Sequence, residues 1–326
     1  MSWQWISKLA SLKFTLFVIA LVGIGVTISY RSEGTTTWAL VLPLFLFSLN
    51  IIVAVITNPV FRRKKSLLMF HLALIALILL IALGRLTFLK GKVEIADGEA
   101  FSSRMAAIDK GPWHWGRLDQ LSFINEGFTI EYVPDVYGVE RGATINRLRW
   151  LDESGKEQHG VIGDLVPLNL YGYKFYTSPN KGFAPTFIWR PNTGAPPVMG
   201  AVHLPSYPKY EYKQALSWTP PGGKTPVWIM LQFDEVILDP KKPSEFRLPS
   251  THQMIVRIGE ERHEIKPGES IKLPEGVLEY AGLRSWMGYN IFYDFTLPWL
   301  LIAGVFAVCS MAVYFWGKFS DRPWDK

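Results

Sequence analysis

Cysteine is almost absent from this chain of 326 residues; the single one is Cys309. One thiol closes no intramolecular disulfide, so the fold is not stapled. No C-x-x-C pair occurs, which excludes thiol–disulfide exchange by a paired motif. No C-x-x-C-H occurs, so the chain attaches no c-type haem to itself. Histidine is scarce, with six in all. Five of them, His114, His159, His203, His252 and His263, are widely separated and lack the short spacings of a zinc site. There is no glycine-rich phosphate loop, no Ser-His-Asp arrangement, no pair of carboxylates that stands out and no repeat of solenoid length. The residues therefore nominate no catalytic group.

Charge is nearly missing from four long stretches, 14–30, 38–57, 67–86 and 295–316, with Arg85 the one exception. About 20 predominantly apolar residues span the hydrocarbon of a bilayer. Three of the runs reach that length, and 9–12 extends the first. The first run resembles a secretory signal, with Lys8 and Lys13 ahead of it. However, Ile28-Ser29-Tyr30-Arg31 is a poor cleavage site and a second apolar run follows at once, so the segment is expected to be retained. The net charge of +6 belongs to the flanks of these runs. Outside 88–293 there are eleven Lys or Arg against four Asp or Glu; inside it there are 23 against 24. That distribution speaks for orientation in a membrane and against nucleic acid as a partner.

The expected fold is an α+β membrane protein. It has four transmembrane helices and one large, mostly-β extracytoplasmic domain between the third and fourth. The expected order is a cytoplasmic N-terminus 1–13, a first span 14–30 and a second span 38–57. A basic cytoplasmic loop 58–65, a third span 66–87 and the extracytoplasmic domain 88–293 come next. A fourth span 294–316 and a cytoplasmic C-terminus 317–326 complete it. Lys8, Lys13, Arg62, Arg63, Lys64, Lys65, Lys318, Arg322 and Lys326 put both ends on the inner side. Trp3, Trp5, Trp38, Trp299 and Trp316 fall near the expected interfaces, where membrane lipid favours amphipathic rings. Within 88–293 the period changes to two. The stretch 127–133 alternates as a half-buried strand does, and 143–162 reads as a hairpin around a polar turn. The Pro- and Gly-rich segment 193–221 reads as a long ordered loop.

His71 is the conspicuous exception within the runs. It lies about 7.5 Å along a helix from Ser66, in the inner leaflet. Ionisable groups there face a partner or a cavity. Two readings stand: a neutral imidazole bonded to a neighbouring helix, or an axial haem ligand. No other histidine lies in an apolar run, so bis-histidine ligation requires a second protein. His114, in Pro112-Trp113-His114-Trp115-Gly116, has two readings: part of a surface loop packed on its own domain, or part of an aromatic surface for haem. Asp294 reads as the N-cap of the last helix, with Pro298 in its first turn. Arg85 reads as a snorkelling side chain at the outer interface.

The segments LASLKFTLFVIALVGIGVTI, FHLALIALILLIALGRL, IADGEAF, FINEGFTIEYVPD, INRLRWLDESGKEQHGVIGDLVPLNLYGYKFYTSPN and LEYAGLRSWMGYNIFYDFTLPWLLIAGVFAV resemble, in this order, the ResB family of cytochrome c biogenesis, also called CcsB. The resemblance covers nearly the whole chain. It implies a subunit that is non-catalytic alone and works within a haem lyase, or cytochrome c synthase. It implies a multi-span ResC/CcsA-type partner, an apocytochrome c client and haem b carried across the cytoplasmic membrane without being permanently bound. The family's third-span histidine pairs with a partner histidine on the iron, and His71 matches that position. The family's outer histidines and tryptophan-rich haem-handling segment belong to the partner. Two features depart from the family. Asp294-Phe295-Thr296 stands where relatives often have Asp-Pro-Gly, and the outer domain is shorter. Two rival functions remain from the residues: a membrane electron-transfer subunit with a resident b-type haem, and a non-catalytic assembly factor that binds a client.

Overall fold

The structure, a computed structural model, describes residues 8–31, 36–136 and 138–320. Trp3, Trp5, Arg322, Lys326 and most of the 31–37 connection lie outside the described residues. The chain forms two compact units. One holds the helices, with the chain up to Lys90, Ile108–Gly116 and the chain from Phe292. The other holds the sheets, Gly91–Ala107 and Arg117–Ile291.

In the helical unit α1 is Leu12–Arg31, α2 is Thr37–Thr57, α3 is the single turn Val60–Arg63, α4 is Lys65–Thr87 and α5 is Leu297–Ser320. All but α3 are long and apolar enough to cross a membrane. At about 1.5 Å per residue they reach roughly 30–36 Å. Most of their surface is uncovered: 11% to 28% of each apolar window is buried. Leu16, Phe17, Leu301 and Val308 stand exposed, as does Cys309 on α5. Water would not tolerate such a surface, whereas hydrocarbon does, because each helix satisfies its own backbone. The chain is a membrane protein of the α+β class.

Packing within this unit depends on small and polar residues where helices meet. A Cβ on Gly25 of α1 would collide with the Ala39 carbonyl of α2. Buried Asn50 of α2 is satisfied by α1 and the residues before it: Thr15 Oγ1 donates to its Oδ1 at 2.9 Å, and its Nδ2 donates to the Leu9 carbonyl. Farther along, Val41, Leu44 and Ile51 of α2 pack with Ile75, Ile78 and Ala82 of α4. A Cβ on Gly84 of α4 would lie 2.7 Å from Thr296 Oγ1, just ahead of α5. Asp294 is not the N-cap of α5, which starts at Leu297. Its Oδ1 accepts from the Thr296 N–H at 2.9 Å and the Thr296 hydroxyl at 2.6 Å, and the Thr296 carbonyl takes the first helical bond, from Leu300. A local Asx turn thus moves the cap two residues on.

The chain continues through β1 (Leu89–Ala96), β2 (Ala107–Lys110), β3 (Ile124–Asp135), β4 (Gly138–Leu151) and β5 (Glu157–Ile162). Then come β6 (Leu168–Leu170), β7 (Tyr173–Pro191), β8 (Val198–Ala201), β9 (Ala215–Trp218) and β10 (Val227–Gln232). β11 (Ser244–Glu245), β12 (Gln253–Ile258), β13 (Glu261–Ile265), β14 (Ser270–Leu273) and β15 (Gly276–Tyr293) complete the described strands. They form three sheets. The largest runs β2–β1–β15–β7–β6, with β14 beside β15 and β8 beside β7. The others run β11–β3–β4–β5 and β13–β12–β10–β9.

The β4–β5 hairpin is closed by Asp152, whose carboxylate accepts from Ser154 N–H at 2.9 Å and Lys156 N–H at 3.0 Å. Bonds from the Ser154 and Gln158 side chains, and then these backbone bonds, hold its carboxyl down to about 2. The segment 193–221 is not simply a loop, since it contributes β8 and β9. Both are four-residue strands, and β9 ends its sheet. Proline and glycine between them obscure so short a period.

The β unit's core is aromatic and includes one buried polar knot. Phe101, Phe123 and Phe175 pack ring on ring, with centroids 5.1 to 5.3 Å apart. Beside Phe123, Tyr289 of β15 donates to Asn146 Oδ1 of β4 at 2.7 Å. Asn146 Nδ2 in turn donates to Asn125 Oδ1 at 2.7 Å and the Gly127 carbonyl at 2.9 Å. Asn125 reaches the Ile95 carbonyl at 3.1 Å. Both asparagines are fully buried and every amide finds a partner, which specifies how β1, β3, β4 and β15 meet.

Candidate functional site

His71 sits on the second turn of α4. Its Nδ1 lies 2.8 Å from the Leu67 carbonyl, one turn back. A carbonyl only accepts, so Nδ1 carries the proton and Nε2 keeps its lone pair. Nε2 has no hydrogen-bond partner among the described residues. This tautomer is the one a metal-ligating imidazole needs, with the second nitrogen fixed by a backbone acceptor. Phe61 of α3 meets the ring edge-on at 4.6 Å, and Phe70 does so at 5.3 Å. The half-buried ring is thus oriented by aromatic edges and by one hydrogen bond.

Helical spacing puts His71 on the stripe of Ile75, Ile78 and Ala82, the side of α4 that packs on α2. An apolar groove of about 530 Å³ between α4 and α5 occupies a different face, lined by Met69, Leu72, Ala76, Trp299 and Phe306. No other histidine lies on the four long helices. The residues fit one axial position on a haem iron and supply no second imidazole.

The remaining histidines do not converge, and no cluster of metal-ligating side chains occurs among the described residues. His159 lies between Glu126 and Glu157 on the surface of the β4–β5 hairpin. His263 pairs with Glu261 at 3.3 Å. His252 meets the Tyr280 hydroxyl at 2.7 Å, and burial lowers its pKa. His114 lies in Ile108–Gly116, which belongs to the helical unit. The reason is Gly111, where a Cβ would collide with the Leu86 carbonyl; here the chain bonds back to Phe88 and Leu86. His114 Nδ1 reaches the Thr87 carbonyl at 2.8 Å and the ring meets Tyr293 at 4.9 Å. Arg85 lays its guanidinium 4.5 Å over the Phe88 ring.

One cluster had no signal in the sequence. Tyr132, Arg141, Lys181 and His203 line a cavity of about 870 Å³ in the β unit. Tyr132 and Arg141 are cross-strand partners in the β3–β4 register. Lys181 comes from β7, with its carbonyl taken by the Tyr207 N–H at 2.9 Å. Burial, and then the Arg141 guanidinium, push the Lys181 ammonium down to about 8. Burial also pushes the Tyr132 hydroxyl up to about 12. His203 Nδ1 donates to Glu94 at 3.2 Å, and the ring stacks on Trp286 at 5.4 Å.

No family model matches the chain, and no curated protein matches it. Among solved structures the chain is similar to one named Cytochrome c Heme Lyase CcmF, at 11% identity and a TM-score of 0.29. The match covers 94% of this chain and 35% of that one, so the chain spans about a third of its length. A likeness of that size leaves function to the chain's own residues.

Proposed function

We propose that the chain is the ResB-like subunit of a cytochrome c synthase in the cytoplasmic membrane. In this reading both chain ends are cytoplasmic and the β unit faces outward, as the basic residues Lys8, Lys13, Arg62, Arg63, Lys64, Lys65 and Lys318 favour. Haem b is cargo. His71 Nε2 holds one axial position of its iron, and a histidine from a ResC/CcsA-type partner holds the other. The apocytochrome's C-x-x-C-H thiols then add across the haem vinyls to form thioethers. The chain offers no nucleophile to that reaction. Its part is to keep haem and client together, which lowers a bimolecular barrier.

The observation that carries the reading is the Nδ1–H bond to Leu67, which leaves a free lone pair at Nε2 inside an apolar helix. The ordered resemblance of the chain to the ResB family supports it. The test is co-purification with the multi-span partner and haem quantification as the pyridine haemochrome. His71→Ala is expected to retain the partner, lose most of the haem and stop cytochrome c maturation, with added imidazole restoring part of the haem. Unchanged haem in that variant overturns the reading. A stoichiometric haem in the chain purified alone points instead to a resident electron-transfer haem.

A further inference from the structure

The β-unit cavity has the volume of a small-molecule site, about 870 Å³. Its wall carries polar groups that the rest of the fold leaves unbonded. Lys181 is 3% exposed, and its ammonium makes no hydrogen bond or ion pair among the described residues. It lies over the face of the Tyr132 ring, at 5.1 Å. Tyr132 Oη and Arg141 Nε are buried with no hydrogen-bond partner, as is His203 Nε2. Native folds strand few such groups, because desolvation is then uncompensated. Three such atoms gather at this cavity, with the Lys181 ammonium beside them, which is how a site looks when the partner is a ligand.

The chemistry of that ligand follows from the groups. Lys181, Arg141 Nε and Tyr132 Oη are all donors, so they call for an oxyanion. Asp164 already takes the Arg141 Nη2 edge, which half neutralises the guanidinium. Lys92 and Lys209 also line the cavity, with Glu94 against them, so the charge suits any oxyanion and the apolar wall is what selects a carboxylate on an organic body. Glu94 fixes the His203 proton on Nδ1, so His203 Nε2 is an acceptor and belongs to the body of the ligand. The cavity exceeds a bare carboxylate many times over, and Val93, Met105, Val139 and Pro179 add apolar wall. We propose that this cavity binds a small organic acid, its carboxylate held by Lys181, Tyr132 and Arg141. The proposal is independent of the haem reading.

The test uses the full chain in detergent micelles with acetate, benzoate, hexanoate and inorganic phosphate as probes at matched ionic strength. Acylation of Lys181 by an activated ester, read by mass spectrometry, is expected to slow severalfold under saturating benzoate or hexanoate. Exposed Lys174 on the same strand is expected to react unchanged. Calorimetric affinity for the protecting acid is expected to fall about tenfold or more in Lys181→Met. Tyr132→Phe keeps the ring and is expected to lose severalfold; with the labelling, it carries the test if Lys181→Met fails to fold. The proposal is overturned if none of the three carboxylates protects Lys181, if phosphate protects it better than they do, or if both variants bind as the wild type does.

Discussion

Replacing Lys181 by methionine should make this protein more stable at neutral pH, by an amount that depends on pH in a defined way. The ammonium is buried on β7 and lies near the Arg141 guanidinium, and its pKa falls from 10.5 to about 8, with Asp164 offsetting part of the effect. At about 1.4 kcal/mol per pH unit, a drop of that size costs the fold about 3 kcal/mol when the amine is charged. The sign follows from proton binding. Between about 8 and 10.5 the unfolded chain holds the proton more tightly than the fold does, so raising the pH through that window stabilises the native state. Below about 8 the whole cost is present. Methionine preserves most of the volume and removes the charge. The variant should therefore exceed the wild type by about 3 kcal/mol at pH 7, and by only about 1 kcal/mol at pH 9.5. For a β unit of this size the first figure corresponds to an apparent Tm rise on the order of 5–10 °C. Tryptophan fluorescence of the full chain in detergent, melted at both pH values, measures it. A variant no more stable than the wild type at pH 7, or a gap that does not narrow with pH, would refute the argument. Saturating benzoate should close part of the gap at pH 7, since it gives the wild-type ammonium the partner it lacks. Stability sacrificed at one position in this way is common where a side chain serves a ligand.

Asn146→Leu leaves Tyr289 Oη, Asn125 Oδ1 and the Gly127 carbonyl each short of a bond inside the core. Asn125 Oδ1 keeps the Gly127 N–H, so two groups are stranded, and at about 1–3 kcal/mol each the expected loss is about 2–6 kcal/mol. Tyr289→Phe should cost less in that background than in the wild type, and a double-mutant cycle by denaturant unfolding reads the difference. Gly84→Val places a side chain 2.7 Å from Thr296 Oγ1 and close to Asp294, and should cost about 1–3 kcal/mol in the packing of α4 on the start of α5. Its readout is a lower melting temperature of the purified chain, with Gly304→Val, whose Cβ meets nothing within 4 Å, as the silent control.

The parts of this fold legible in the sequence are those where the solvent imposes a period. The long helices announce themselves because lipid demands apolar residues on every exposed face, as at Leu16 and Val308. Strand β3 and the β4–β5 hairpin show because one face of each is buried and the other wet. The edge strands β8 and β9 do not show, since four residues among prolines carry too few alternations. Asp294 misleads because an Asx turn and an N-cap use the same residue types. The grouping of the His114 loop with the helices has no signal in composition, because a close backbone approach at Gly111 sets it. At the sites the contrast is sharper. His71 is conspicuous as a lone imidazole in an apolar run, yet its tautomer is set by a main-chain carbonyl that no residue letter records. Tyr132, Arg141, Lys181 and His203 are unremarkable as letters and become a cluster only once the strands are in register.

The single thiol of α5 has a practical use. Because Cys309 is exposed and has no rival, a maleimide dye or nitroxide attached to the native sequence reports on that helix alone. Quenchers tethered at graded positions along an acyl chain would then measure how deep the label sits. The immersion of α5 can thus be read in a bilayer without changing a residue.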